Sequence, residues 1–229
     1  MFDLPPILIA GLTGFISGLL LSIPVGPVNL TIINEGARRG FFWALLIGAG
    51  ASAMEVIYCT IAFTGFSSFF GNRVVKASME VFSFVFMLFL GIKFLMAKTV
   101  AAPMHISNAA DRIEERIEDR LHPHSAFMTG FVRVMGNPGV LLFWIILAAN
   151  FMSREWVEPN LRGKLACVVG VALGTSLWFF GLSYGVSRGH GKFSEKTLLK
   201  MEHFSGAMLL GLGLIHGAHI AWQLAKHKI

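Results

Sequence analysis

The sequence predicts an all-α membrane protein of six transmembrane helices, built as two inverted three-helix repeats with discontinuous helices 1 and 4. Three observations carry that expectation. The 229 residues are 55% hydrophobic and only 14% charged, where soluble domains carry about 25% charged residues. The apolar residues gather into six runs, each near the 20 or so residues that a bilayer core requires of a helix. Two of these runs, at related positions, are interrupted by proline and glycine.

The first run, Ile7 to Ile33, holds 27 residues and would measure about 40 Å as a straight helix. That exceeds a hydrocarbon core of about 30 Å, and the stretch SIPVGPVNL (Ser22 to Leu30) marks the break. No Lys or Arg precedes Arg38, so a signal peptide's positive region is missing and this span is expected to be retained. The next runs are Phe41 to Phe66, Ala77 to Met96, Ala126 to Phe151, Leu165 to Val186 and Phe204 to Leu224. Cys59 and Cys167 fall inside spans without metal or CxxC spacing and read as packing residues. Gly14-x-x-x-Gly18, Gly170-x-x-x-Gly174 and Gly213-x-x-x-Gly217 permit close helix approach, within a subunit or in a homodimer.

Between spans three and four lies the polar segment His105 to Ser125. It places Ile113, Ile117 and Leu121 on one face of an amphipathic helix. Acids outnumber bases five to three from Asp111 to Arg120, so a basic face suited to anionic lipid is absent. The segment reads as a cytoplasmic linker, residues 98–125, between a first repeat over 1–97 and a second over 126–229. The repeat is visible in MEVFSFVFMLFLG (Met79 to Gly91), which aligns without gaps on MEHFSGAMLLGLG (Met201 to Gly213). FISGLLLSIPVGPVNL matches FMTGFVRVMGNPGVLL in form, each with a proline-glycine break after its phenylalanine. Three spans per repeat is an odd number, so the halves must face opposite ways. That is the plan of secondary transporters, with substrate bound at midplane where discontinuous helices meet.

Loop charge sets orientation. With the N-terminus outside, cytoplasmic loops hold ten Lys and Arg and the opposite side seven, which favours both termini outside. The net charge of +6 follows from this loop charge and does not indicate nucleic acid.

Pro24 and Pro27 lack amide donors, and Asn137-Pro138-Gly139 repeats the device in span four. Irregular backbone at membrane depth persists where it is buried in protein or lines a wet cavity. Two such breaks meeting at midplane would aim helix-end amides at an anionic group and free carbonyls at a cation; kinks serving packing alone are the alternative. Asn29 and Asn137 add side-chain amides. Glu55 is the one clear carboxylate deep in a span; desolvation favours its neutral form and makes it a candidate for proton coupling. It can instead be a structural acid paired with a base, of which Arg133 is the obvious one. Arg133 lies one turn before Asn137 and can hold a carboxylate bidentately or snorkel to the interface. Lys93 is expected to snorkel. His216 and His219 have no acidic or cysteine partner nearby in sequence, so no metal site is expected. No Ser-His-Asp arrangement, phosphate loop or zinc spacing appears, so an enzyme is not expected. A metal-cation exporter of the same inverted-repeat architecture is the alternative, and it should place several acids or histidines inside the spans. An electron carrier would need cysteines at both breaks, and a non-transporting scaffold would have no use for the breaks.

PVGPVNLTIINEGARRGFFWALLIGAGASAMEVIY, followed by FLGIKFLMA and GNPGVLLFWIILAANF, resembles the LysE/RhtB superfamily of amino-acid exporters in order and spacing, over nearly the whole chain except the linker. By position, the resemblance implies roles for Gly26, Pro27, Asn29, Glu55, Asn137 and Pro138. Two positions depart: Gly139 stands where the family often has Lys, and Glu55 where it usually has Asp. The resemblance implies a multi-pass protein of the bacterial inner membrane, exporting an amino acid or related small metabolite by proton or potential coupling. The expected partners are that substrate and membrane lipid; no cofactor is expected.

Overall fold

The computed structural model describes residues 5–24, 26–65, 81, 84–85, 88–89, 91–97, 125–188 and 195–225. Every regular element among them is a helix: α1 (Pro6–Ser22), α2 (Pro27–Arg39), α3 (Phe41–Gly65), α4 (Ala126–Met135), α5 (Pro138–Ser153), α6 (Leu161–Arg188) and α7 (Glu195–Ala225). Residues 91–95, inside the third expected span, are helical as well. The linker helix expected over Asp111 to Arg120 lies outside the described residues, as do the side chains of Pro138, His216 and His219.

Both expected breaks are present and nearly equal. The axis turns 69° between α1 and α2 and 67° between α4 and α5. The prolines dictate where the new helices start. Pro27 and Pro138 each open one, the position at which a missing amide donor is harmless and a fixed φ is helical already. The preceding residue is driven out of helical geometry: Gly26 has φ −113° and ψ −176°, and Asn137 has φ −98° and ψ 94°. α2 ends where Gly40, at φ +88°, returns its amide to the Gly36 carbonyl at 3.0 Å. A left-handed residue after a helix is the usual place for glycine.

α3, α6 and Lys196–Ile215 of α7 are each long and apolar enough to cross a bilayer, and each bent pair counted as one span brings the number to five. The third expected span lies largely outside the described residues. The largest departure from an expected boundary is at the last span. α7 begins at Glu195 rather than near Phe204, because Leu198, Met201 and Ser205 keep a buried or half-buried face at helical spacing through the charged turn. That extension brings Glu202 inside the helix.

Glycines set the crossings. A Cβ on Gly14 would strike the Cys167 backbone, and one on Gly170 or Gly174 the backbone of Gly11 or Phe15. The first two glycine motifs therefore pack against each other within one chain, α1 on α6. Gly50 and Gly130 interlock α3 with α4 in the same way, and Gly206 brings α7 against Gly91, Phe94 and Leu95. Cys59 and Cys167 are buried free thiols. On the far side of α6, Leu165, Val169, Leu173 and Leu177 form an exposed apolar stripe, the pattern of a helix facing hydrocarbon.

Candidate functional site

The first break is repaired by one side chain. Asn29, 3% exposed, donates from Nδ2 to the Ser22 carbonyl at 2.8 Å and to the Pro24 carbonyl at 2.6 Å. Its Oδ1 accepts from Trp178 Nε1 of α6 at 3.2 Å. Asn29 thus supplies the donors that the prolines cannot. Asn29→Ala is expected to leave two carbonyls and an indole nitrogen unsatisfied, at about 1–3 kcal/mol for each such buried group. The detergent-solubilised variant should unfold at clearly lower temperature than the parent; an unchanged midpoint would mean that the break holds its shape without this residue.

The second break is held from α3. Tyr58 donates its hydroxyl to the Met135 carbonyl, at the end of α4, at 2.7 Å. Trp144 of α5, 1% exposed, donates its indole N–H to Glu55 Oε2. Glu55 and Tyr58 are three residues apart and share a helix face, so one stripe of α3 grips both half-helices. Asn137 caps α5, its Oδ1 accepting from the Gly139 amide at 3.0 Å. α6 is tied to α3 through Ser52, whose hydroxyl lies 2.5 Å from that of Thr175.

The two breaks share a cavity of about 80 Å³. One water needs about 10–15 Å³ by a comparable measure, so the cavity is wettable, the condition under which broken backbone survives at membrane depth. Gly26, Pro27 and Asn29 line it from the first break and Arg133 and Asn137 from the second, with Glu55 from α3. Six of the seven residues singled out in the sequence thus meet; Pro138 follows Asn137 directly and opens α5. α2 and α5 both start here, so two helix N-termini lend the cavity positive potential.

Two further charged residues line the cavity, and both correct the sequence reading. Lys93 was expected at the interface. It lines the cavity instead, because residues 91–95 pack closely on α7 beside it. Glu55 was expected to be the one clear acid at depth, yet Glu202 is 2% exposed and lines the same space. A signal for Glu202 was present: it falls within the repeat, opposite Glu80, in the paired Met-Glu motifs. Among the described residues, no three His, Cys, Asp or Glu gather as a metal-binding group.

Helices that break over a shared charged cavity, within an apolar scaffold, are the parts of a membrane transport protein. The LysE type translocator family matches residues 19–216; the chain belongs to that family, and is a multi-pass membrane translocator rather than an enzyme. It is 28% identical over 206 residues to the "Putative amino acid efflux protein YcgF" of Bacillus subtilis (strain 168), which covers 90% of this chain and 94% of that relative. No solved structure matches the chain. Family membership agrees with the resemblance carried by PVGPVNL and GNPGVLL and does not favour the metal-cation exporter.

Proposed function

We propose that the protein exports an amino acid or a related small metabolite across the bacterial inner membrane, by alternating access driven by protons or membrane potential. The observation that carries this reading is the convergence of both helix breaks, Glu55 and Arg133 on one cavity. In this scheme the substrate carboxylate is held by Arg133 and by the helix starts at Gly26-Pro27 and Asn137-Pro138, where amides and dipole both favour an anion. Asn29 serves by fixing the shape of the first break. Glu55 carries the coupling proton. The near-equal bends at related positions support two three-helix repeats of opposite orientation, and the excess of Lys and Arg in alternate loops supports both termini outside and the 98–125 linker in the cytoplasm. The relative's printed name supports an amino-acid substrate.

Radiolabelled amino acids in proteoliposomes, with and without an imposed pH gradient, test the reading. Transport of at least one of them, accelerated by the gradient, is the expected result. No transport of any amino acid under either condition would overturn it.

A further inference from the structure

We infer that Glu202 receives the amino group of the transported molecule and that Lys93 is its built-in counter-charge; this rests on the amino-acid reading above. Among the described residues, four ionisable side chains line the cavity: Glu55 and Lys93 from the first half of the chain, Arg133 and Glu202 from the second. Two acids and two bases balance. A zwitterion adds one charge of each sign and keeps the balance, whereas a simple anion or cation upsets it in a low-dielectric space. Two of the three positive features serving a carboxylate, Arg133 and the start of α5, sit at the second break. Glu55 is tied to α5 by Trp144. Glu202 stands on a different helix, one turn before Gly206, and that glycine lets α7 approach the Leu95 amide and the Gly91 carbonyl. The same approach brings in Lys93 from the neighbouring segment. Glu202 and Lys93 thus reach the cavity from a different pair of helices than the pair that carries Glu55 and Arg133. A buried carboxylate needs a nearby positive charge, and Lys93 provides one on the same cavity when no ammonium is bound.

The test uses the full chain in detergent, titrated calorimetrically with the twenty common L-amino acids. The tightest binder is then compared with its 2-hydroxy acid, which keeps the carboxylate and loses the ammonium. The wild type should prefer the amino acid by about 30-fold or more, the usual scale for losing one partner of a buried charge pair. Glu202→Gln should bring the two ligands within about threefold of each other. Glu202→Gln combined with Lys93→Met removes both charges, so it tests the same point if the single variant folds poorly, and it too should lose the preference. A preference that persists in either folded variant, or a loss of both ligands in equal proportion, overturns the assignment of Glu202 while leaving the amino-acid reading intact. A wild type that binds none of the twenty overturns that reading, and this inference with it.

Discussion

Glu55→Gln is expected to abolish export driven by a pH gradient while leaving the protein folded and inserted. Glutamine keeps the size of the side chain and an oxygen that can accept from Trp144, so the tie between α3 and α5 survives. It is also uncharged, and a neutral amide is cheaper than a carboxylate inside a membrane protein. What it loses is the proton. In the proposed cycle a cationic neighbour, or a substrate ammonium held at Glu202 on the same cavity, favours the charged carboxylate, and departure of that positive charge favours the neutral acid. Binding of substrate and release of the proton are then linked, and linkage runs both ways. The glutamine variant is fixed in the neutral form, so the link is cut. Exchange of labelled for unlabelled substrate should persist at zero gradient, whereas net accumulation under an imposed pH difference should fall to the level of protein-free vesicles. Accumulation that survives would make Glu55 structural and place coupling elsewhere.

The second large effect is mechanical. A methyl group on Gly14 would fall on the Cys167 carbonyl, and neither that backbone nor the paired glycines opposite offer a flexible side chain that can swing aside. α1 must therefore move away from α6, and the first break hangs from both: Asn29 reaches back to the Ser22 carbonyl at the end of α1 and out to Trp178. Overpacking of this kind costs about 1–3 kcal/mol and sometimes more. The comparison that isolates it is Gly181→Ala on α6, where an added Cβ meets nothing within 4 Å. There, alanine should be neutral or stabilising, since it is favoured over glycine in a helix by about 1 kcal/mol. Gly14→Ala should lower the amount of folded protein and its unfolding temperature; Gly181→Ala should not. Equal behaviour of the two would show that α1 and α6 do not cross as closely as described.

Much of the site was legible because broken helices leave a composition signature. Proline, glycine and asparagine inside an apolar run have few local explanations, and Pro24, Pro27 and Pro138 marked both bends. Glu55 was legible because a lone acid among apolar residues stands out. Lys93 and Glu202 were not, for one physical reason: each lies near the end of an apolar run, where a charged residue has two destinations, the interface or the interior. Hydropathy cannot choose between them. Helix packing does, and the contact of Gly206 with Gly91 and Leu95, far apart in the chain, turns that end of α7 inward. Asn29 shows a second limit. Its place beside the break is plain in the sequence, but its amide is engaged with backbone and Trp178, a partnership that depends on where α6 passes and that nothing near Asn29 in sequence reveals.

The central claim is that the two breaks form a single substrate site, and cysteine protection tests it most directly. Val28 lies just past the first break and Val140 just past the second, and both line the cavity. Each is replaced by cysteine in turn, in a chain whose buried Cys59 and Cys167 have been changed to alanine, and its reaction with a small maleimide is followed as substrate is added. One site predicts that both cysteines are protected by the same substrate with the same half-saturating concentration. Protection of one position with none at the other, or two clearly different concentrations, would contradict it.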